Sequence, residues 1–536
     1  MKKYLFLLFF LLVQFSWAGN SFLIRLERDE SITEKFQIVH LSQRHCLVMA
    51  NEADMLKLGW SNRSFKLLET NPAEGYRCEY FAVYPNRDEC PNIDPVLFAR
   101  YGTVLDIFDN QVIMKGDAEQ LLLNTTCAVE LAQISLTARL NPYRKSTIPK
   151  RGPVQVDPLI EQMLANMSPD SCARLLRDLC EIRNRYASDR YNIEEVVPYL
   201  ERKFMEYNCD TTFRLPVSGY QAPAVVGARW GYDEPSLAKV CIIGAHPDNI
   251  CPGGDDRHQG AYDNGCGCVG FLEAARVMKD YTFRYTVLYV GFNCEERGLK
   301  GSYEFIEMLE DEGSEIVGGA VTYDMVGISP GNSSSISHTV CSANPGGREF
   351  AERIESVGNA YKLFVRVNTQ SGTNIPTDTK NFWENGFVAS IGRGGTGGKY
   401  HTEADSINST FDSTWLAKAI APGIAVLADC AEPLGVTENL AKQTARSSNP
   451  VSIILNPSGY LTITLSDVKL PSEKTVSIFV LSGRQITTVT LKKSGDAGYR
   501  GIWNYRDSRN AVSPGLYIIS GTIQDKRFQE KVVIKR

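Results

Sequence analysis

Four apolar runs between residues 239 and 391 constrain the fold of this chain more than any other feature. Each run is apolar at successive positions, which is typical of strands that are covered on both faces. The runs are Lys239–Ala245, Tyr285–Phe292, Ile316–Tyr323 and Gly386–Ile391. Helical patterns fit between them, for example over Val269–Asp280 and Ser302–Glu312. This alternation predicts an α/β domain whose mostly parallel sheet is flanked by helices.

The α/β domain is predicted over residues 157–435 and does not account for the whole chain. A chain of 536 residues is expected to form about two to four domains, because single cores rarely grow that large. Residues 19–150 predict an N-terminal α+β unit, for which a pro-region and an inhibitory domain are the alternatives, and the basic, proline-rich segment 141–153 is interpreted as a linker. Within this unit Val48–Leu56 resembles Ile113–Leu121, each with the pattern of a strand, a turn and a helix start. This repeat predicts two related small modules.

The C-terminal residues 448–536 have a different pattern of apolar and polar residues. Short alternating strands such as Leu461–Leu465, Val476–Val480 and Gln485–Leu491 are separated by turn residues. Short strands at close, regular intervals predict a β-sandwich of about 90 residues.

The first eighteen residues have the features of a cleaved signal peptide. Lys2 and Lys3 precede the apolar run Leu5–Phe15, and small residues stand at the two key positions before a cut after Ala18. A membrane anchor is the alternative, but the run is shorter than the roughly 20 residues of a span. We therefore expect a secreted or cell-surface protein, in which some of the fourteen cysteines form disulfides. The net charge of -5 gives no reason to expect a nucleic-acid partner.

Histidine and acidic side chains follow the predicted strands of the α/β domain. His246 and Asp263 follow the first strand, Glu295 and Glu296 the second, Asp324 the third, and His401 comes after the fourth. In open parallel sheets, ligands bind outside the carboxyl ends of the strands. We therefore expect these side chains to converge at one edge of the sheet.

Five of these residues are candidate metal ligands: His246, Asp263, Glu296, Asp324 and His401. Imidazole nitrogens with carboxylate oxygens suit zinc. Clustered carboxylates repel one another and are costly to desolvate, and two cations that share one bridging carboxylate would relieve that cost. Sites with two metals serve hydrolysis. Any one of these residues alone is more often structural, so the hypothesis depends on their combination.

The motifs that carry these residues resemble the five-part signature of the co-catalytic di-zinc aminopeptidases. This family includes the bacterial leucyl aminopeptidases and is related to glutamate carboxypeptidase and glutaminyl cyclase. The motifs are His246-Pro-Asp248, Gly260-Ala-Tyr-Asp-Asn264, Glu295-Glu296, Tyr323-Asp324 and Tyr400-His401-Thr402. Their order and spacing are similar to the family's over residues 157–432, and Thr377–Phe382 resembles its Asp-containing segment.

The resemblance implies a function and a role for each residue. His246 and Asp324 would hold one of two zinc ions, Glu296 and His401 the other, and Asp263 would bridge them. Asp248 would accept a hydrogen bond from the ring of His246. Glu295 would be the general base for a bridging hydroxide. The implied function is hydrolysis of the N-terminal peptide bond of peptides with a free N-terminus.

Two features depart from the family pattern. Cys266 and Cys268 stand where small residues are usual, and they could be packed thiols, a disulfide or soft metal ligands. Asp255, Asp256 and His258 form a polar insert before Asp263, which is interpreted as a loop. The alternatives to an aminopeptidase are a glutaminyl cyclase, a single-zinc acyltransferase on the same fold, and a non-catalytic peptide-binding protein.

The C-terminal segment has a resemblance of its own. Gly501-Ile-Trp503, Ser513–Ile518 and the final Lys531–Arg536 are similar to the C-terminal sorting domains of type IX secretion cargo. This similarity implies an outer-membrane secretion machinery as partner. A substrate-binding or surface-binding accessory domain is the alternative.

Overall fold

The computed structural model describes most of the chain. The described residues are 20–28, 32, 36–60, 64–73, 79–85, 93–124, 129–136, 140, 154–182, 184–232, 237–250, 258–327, 336–373, 375–394, 400–408, 411–436, 451–456, 460–466, 474–480, 485–493, 498–503, 515–523 and 526–534. The signal-peptide prediction for residues 1–18 and the linker segment 141–153 lie outside these residues.

The N-terminal unit consists of two modules with the same topology. Its strands are β1 Ser21–Glu27, β2 Gln37–Leu41, β3 His45–Asn51, β4 Phe65–Thr70, β5 Glu79–Pro85, β6 Gly102–Phe108, β7 Gln111–Gly116 and β8 Val129–Gln133, and its helices are α1 Glu52–Trp60, α2 Pro95–Phe98 and α3 Ala118–Asn124. The antiparallel sheets have the orders β2-β3-β1-β4 and β6-β7-β5-β8. In both modules a helix follows the third strand, as the sequence repeat predicts.

The two modules pack against each other through one face of each sheet. Leu23 and Leu47 of the first module share an apolar cluster with Tyr80 and Ile113 of the second. Leu299, from the α/β domain, lies in the same cluster. The unit is therefore packed on the α/β domain by buried apolar contact.

The α/β domain is built on a nine-stranded sheet. Its strands are β9 Thr211–Leu215, β10 Ala224–Arg229, β11 Lys239–Ala245, β13 Thr286–Gly291, β14 Glu315–Ile316, β15 Ala320–Tyr323, β16 Ile336–Cys341, β17 Val365–Gln370 and β18 Ala389–Arg393, with β12 Tyr281–Phe283 and β19 Pro433–Val436 as a separate pair. Its helices are α4 Pro158–Ala165, α5 Pro169–Glu181, α6 Val197–Glu206, α7 Cys266–Val277, α8 Lys300–Asp311, α9 Gly347–Ala360, α10 Asp378–Glu384 and α11 Ser413–Ala431, with π-helical turns at Asn192–Val196 and Ala261–Gly265.

The centre of this sheet is parallel and its margins are mixed. The strand order is β17-β16-β18-β15-β11-β13-β10-β9. Strands β13, β11, β15 and β18 pair in parallel. The pairs β9–β10, β10–β13 and β16–β18 are antiparallel. The four apolar runs thus form the parallel centre, and the sheet is mixed because antiparallel strands extend it on both sides.

Helices cover both faces of the sheet and form two apolar cores. One core contains Leu176, Phe271 and Ile420, from helices α5, α7 and α11. The other contains Phe305 and Phe382, from helices α8 and α10. Burial on both faces explains why the central strands are apolar at successive positions.

Helix α11 (Ser413–Ala431) has the length and apolar composition of a membrane span. Within the described residues it is the one helix of that kind, and 83% of its most apolar segment is buried inside the domain. It is capped by Asp412, whose side chain accepts hydrogen bonds from the N–H groups of Thr414 and Trp415. Its composition is explained by its position in the core.

The C-terminal domain is an antiparallel sheet of seven strands. Its strands are β20 Val451–Asn456, β21 Tyr460–Ser466, β22 Lys474–Val480, β23 Gln485–Lys493, β24 Gly498–Trp503, β25 Gly515–Ile523 and β26 Lys526–Ile534. Strand β23 pairs with β22 along most of its length and with β24 only at Lys492 and Lys493. The strand order is β20-β21-β24-β23-β22-β25-β26, and the rings of Trp503 and Tyr517, on β24 and β25, have their centroids 5.4 Å apart.

The structure shows no disulfide among the ten cysteines that it describes, all of which are buried. Burial raises the pKa of Cys180 to about 11 and that of Cys268 to about 12. These thiols pack as small apolar side chains. The expected disulfides are therefore not found in this part of the chain, and Cys78, Cys90, Cys127 and Cys251 lie outside the described residues.

Candidate metal centre

The carboxyl ends of the central strands bring the candidate residues together. His246 follows β11, Glu295 and Glu296 follow β13, and Asp324 follows β15. These side chains are 2 to 7% exposed. Asp263 enters from the turn before helix α7, and His401 from the segment beyond β18. All six predicted residues thus meet in one buried cluster.

Three groups of three side chains within the cluster have the spacing of metal ligands, and one of them consists of His246, Glu295 and Glu296. The other two match the ligand roles that the resemblance implies. The ligand atoms of His246, Asp263 and Asp324 lie within 4.8 Å of one another, and so do those of Asp263, Glu296 and His401. Asp263 belongs to both groups. Its Oδ1 lies 3.4 Å from Nε2 of His246, and its Oδ2 lies 3.1 Å from Nε2 of His401. One carboxylate therefore faces two separate imidazoles, each with a different oxygen.

The donor set fits zinc. Nitrogen and oxygen ligands of these types are those that zinc takes in catalytic sites. Oε1 of Glu296 and Oδ1 of Asp324 are buried and have no hydrogen-bond partner among the described residues. Unpaired buried carboxylate oxygens are costly, and a cation would satisfy them. His246, Asp263, Glu296, Asp324 and His401 could thus hold metal.

The electrostatics of the cluster show an excess of negative charge. Burial acts to lower the pKa of His246 and His401, but neighbouring carboxylates, foremost Glu295 and Glu296, raise both well above the ordinary value. Burial acts to raise the pKa of Asp263, and hydrogen bonds from the two imidazoles outweigh it and keep the pKa below its usual range. The excess of negative charge among these side chains therefore favours the binding of metal cations.

Glu295 lies beside the first group of ligands. Its Oε2 is 3.9 Å from Nε2 of His246. Burial raises the pKa of Glu295 well above that of an ordinary carboxyl, the His246 charge opposes this, and the charges of Glu296 and Asp378 add to it. A raised pKa suits a group that takes up a proton and later releases it.

Asp248 positions both His246 and the Glu295–Glu296 pair. Its carboxylate accepts hydrogen bonds from the N–H groups of Glu295 and Glu296, each at 3.2 Å. The ring Nδ1 of His246 lies 3.1 Å from the main-chain oxygen of Asp248 and 3.6 Å from its carboxylate. Of the two Asp248 acceptors that face the ring, the main-chain oxygen is the nearer.

Asp405 positions Asp263, and sequence reasoning did not assign it a role. Its carboxylate accepts hydrogen bonds from the N–H groups of Tyr262, at 2.6 Å, and Asp263, at 3.0 Å. The peptide bond between Asp263 and Asn264 is cis. The Asn264 side chain donates to the carbonyl of Tyr323, at 2.9 Å, beside Asp324. The sequence offered one indication of this role, which is that Asp405 stands four residues after the predicted ligand His401.

Asp378, in the segment Thr377–Phe382, also lies at the centre. Burial raises the pKa of Asp378 to about 8, opposed by His246 and Ser302. Its Oδ1 is buried and without a hydrogen-bond partner in the described part of the chain. This carboxyl is among the charges that act on Glu295.

The two departures from the family pattern lie close to the centre. The thiol of Cys268 donates to the carbonyl of His246 at 3.2 Å, and burial raises the pKa of Cys266. Both are therefore packed thiols. His258 is buried, and burial lowers its pKa to about 4, so it is not an exposed loop residue. Asp255 and Asp256 lie outside the described residues.

Arg185 holds the loops of the centre in place and was missed by sequence reasoning. Its side chain is fully buried. The guanidinium donates to the carbonyls of Pro247 and Gly260, both at 2.8 Å, and to that of Gln259. These carbonyls belong to the loop after His246 and to the turn before Asp263. An arginine in a helical pattern carries no sequence signal for such a role.

We expect Arg185→Ala to destabilise the domain. The substitution leaves three carbonyls without their donor, and each unsatisfied buried group costs about 1–3 kcal/mol. The free energy of unfolding should fall by at least about 3 kcal/mol, measured by denaturant titration. Arg214→Ala is the matched control, since Arg214 pairs with Glu201 at 2.8 Å on the surface, and should cost less than about 1 kcal/mol. Equal losses in the two variants would contradict the assigned role of Arg185.

The parallel sheet and the histidine–carboxylate centre at its strand ends define an α/β domain of the zinc-peptidase type. Residues 225–421 match Peptidase family M28. The matched segment contains all six residues of the cluster. The match is thus confined to the α/β domain, and it includes the strands that carry the cluster.

Individual relatives match over limited lengths. Leucine aminopeptidase 2 of Trichophyton equinum is 30% identical over 88 residues, 16% of this chain and 17% of that protein. Leucine aminopeptidase 1 of Arthroderma otae is 26% identical over 249 residues, 44% of this chain and 64% of that protein. The chain thus spans less than two thirds of the length of either curated relative.

A solved structure matches over a larger share. The LapA aminopeptidase of Legionella pneumophila superposes with a TM-score of 0.52 at 19% identity, covering 67% of this chain and 99% of that chain. At this level of identity, the likeness shows that the two proteins share a fold.

Proposed function

We propose that this protein is a zinc-dependent aminopeptidase that holds two zinc ions and hydrolyses the N-terminal peptide bond of peptides. The observation that carries the proposal is the position of Asp263, whose two oxygens face two different imidazoles. A centre that holds a single metal ion does not require a carboxylate placed between two imidazoles. The match to Peptidase family M28 and the leucine aminopeptidases among the relatives support the same function.

His246 with Asp324, and Glu296 with His401, would each hold one ion, and Asp263 would bridge them. Zinc bound there acidifies water and polarises the carbonyl of the scissile bond. Glu295 would take a proton from the attacking water at its carboxylate. It would then give that proton to the amine nitrogen as the carbon–nitrogen bond breaks. Asp248 would keep Glu295 in place by accepting a hydrogen bond from the main-chain N–H group of Glu295.

We also propose that the protein is exported, by the signal peptide of residues 1–18, to the cell surface or the medium. The C-terminal domain would engage an outer-membrane secretion machinery. The motifs at both ends of the sequence and the β-structure of residues 451–534 support this proposal.

The test of the proposed activity compares leucyl p-nitroanilide with its N-acetyl derivative. Acetylation removes the charge and the hydrogen bonds of the α-amine, which position the scissile carbonyl as well as bind the substrate. A charged hydrogen bond contributes about 1.5–3 kcal/mol, so kcat/KM should fall by about tenfold to 10²-fold or more. Treatment with a chelator should abolish cleavage and zinc should restore it.

Three outcomes would contradict the proposal. Equal cleavage of the free and acetylated anilides would exclude recognition of the amine. Release of C-terminal residues only would identify a carboxypeptidase. Conversion of a glutaminyl peptide to its cyclised form without hydrolysis would identify the cyclase, and metal analysis would then give one ion rather than two.

A further inference from the structure

The second N-terminal module lies against the loops that form the metal centre. The N–H group of Gln133, at the end of β8, donates to the carbonyl of Gly298 at 3.0 Å. Gly298 is two residues beyond Glu296. Ile250, two residues beyond Asp248, lies in the apolar core of the module. The module therefore contacts two of the strand-end loops that carry the candidate catalytic residues.

The first module is tied to helix α10, which carries Asp378. The ammonium group of Lys380 donates to the carbonyl of Leu41 at 3.2 Å, and the N–H group of Leu41 donates to the carboxylate of Glu384 at 3.3 Å. Lys380 and Glu384 form a buried ion pair beside this strand. Without Leu41, the buried charges of Lys380 and Glu384 would each lose a hydrogen-bond partner, which is energetically costly. Buried contacts of this kind indicate that the first module stays attached to the α/β domain.

Strand β8 places Glu130 at the rim of the metal centre. Its carboxylate is 22% exposed and lies 3.9 Å from the guanidinium of Arg393. That distance is too long for a hydrogen bond, and Arg393 donates instead to Oδ2 of Asp324 at 3.2 Å. Burial raises the pKa of Glu130 to about 7; the charges of Arg393 and His401 oppose this, and those of Asp324 and Asp263 add to it. Glu130 is therefore close to the ligand groups without being a ligand.

The partly exposed carboxylate of Glu130 has acceptor positions that the described residues do not fill. Within the described residues, no group donates a hydrogen bond to its carboxylate, and Arg393 is its one ion-pair partner. A cationic group beside Glu130 favours the ionised carboxylate, which only accepts hydrogen bonds and whose strongest donors are charged. The guanidinium of Arg393, at 3.9 Å, offsets part of the charge of the carboxylate but fills none of its hydrogen-bond acceptor positions. The group that fits them is an ammonium group.

We propose that Glu130 is a substrate-binding residue, which accepts hydrogen bonds from an ammonium group at the amino end of the peptide. The N-terminal unit would then be a working part of the active site and not a removable pro-region. The inference rests on the proposed aminopeptidase function. The ammonium group has two possible sources, the α-amine that every substrate carries and the side chain of a first-position lysine.

The test is the isosteric variant Glu130→Gln, assayed with lysyl and norleucyl p-nitroanilides. The two substrates have side chains of similar length and differ in the side-chain charge. If the side chain is the source, KM for the lysyl substrate should rise about tenfold and KM for the norleucyl substrate should not change. If the α-amine is the source, both values should rise alike. If the side chain is the source, kcat should stay within about threefold, because Glu130 neither transfers protons nor holds the α-amine.

Inhibition by lysinamide and norleucinamide provides a second readout that does not depend on turnover. The inhibition constants should follow the same pattern as the KM values. Metal content and melting temperature should equal those of the wild type. Unchanged KM and inhibition constants for both compounds would overturn the proposal, and so would an increase in kcat/KM, which would mean that the module obstructs the site.

Glu119→Gln is the matched control. Glu119 belongs to the same module and pairs with Arg297 at 3.3 Å across the same interface, but it is 39% exposed and is not among the groups that act on Glu130. Its KM values should equal those of the wild type. A rise matching that of Glu130→Gln would assign the effect to docking of the module and would also overturn the proposal. A wild-type protein without aminopeptidase activity would instead refute the proposed function, so the two failures are distinguishable.

Discussion

The Glu295→Gln variant is expected to lose turnover by several orders of magnitude while it keeps its metal. A general base contributes about 10²–10⁴-fold, and here the same carboxyl would act on both the water and the leaving amine. Glutamine has the same shape and cannot hold the proton. Glu295 belongs to neither of the two groups that share Asp263, so the metal should remain bound. The measurement is kcat on leucyl p-nitroanilide together with zinc content.

The neighbouring Glu296→Gln is the matched contrast to this variant. Glu296 lies 2.9 Å from Nε2 of His401 and belongs to the second ligand group. Its loss should reduce both activity and zinc content, whereas Glu295→Gln should reduce only activity. Activity of Glu295→Gln within tenfold of the wild type would refute its role as the base.

The Asp263→Asn variant is expected to lose both metals and with them the activity. Asp263 is the one residue shared by the two ligand groups. The amide that replaces it carries no charge and faces two imidazoles that need an acceptor. Replacing outer partners of metal ligands typically costs about 10–100-fold in affinity or activity. Losing a shared ligand should exceed that, so we expect more than about 10²-fold loss of kcat/KM, measured together with the zinc stoichiometry.

Asp324→Asn and Asp405→Asn are the controls for this prediction. Asp324 belongs to one ligand group, so its variant should keep one ion per chain. The carboxylate of Asp405 accepts from the main chain of Tyr262 and Asp263 and is not a predicted ligand, so its variant should keep both ions at reduced affinity. A stoichiometry of one in Asp263→Asn would show that Asp263 does not bridge, and the two-ion proposal would then fail.

The antiparallel margins of the α/β sheet were not predicted from the sequence. Strand β17 alternates exposed and half-buried residues, and β9 contains two threonines and an arginine. Short polar strands have no apolar run, and what stabilises them is pairing with a neighbour distant in sequence. The run Ile316–Tyr323, predicted as one strand, is two, β14 and β15, separated by Gly318 and Gly319 with positive φ. Glycine adopts these angles without steric cost.

The sequence by itself determined the parallel centre of the fold and the identity of the candidate ligands. Apolar runs on both sides of helical patterns require a covered parallel sheet, and residues at its strand ends must share one edge. The same local signal, repeated twice, predicted the two N-terminal modules.

Only the tertiary structure decided how these residues work together. It showed that the oxygens of Asp263 face different imidazoles, that Arg185 and Asp405 hold the loops, and that Glu130 reaches the centre from another domain. The physical reason is that these contacts join residues far apart in the chain. Periodicity reports which side of an element is buried, whereas a hydrogen bond or a shared ligand depends on distances that exist only after the chain has folded.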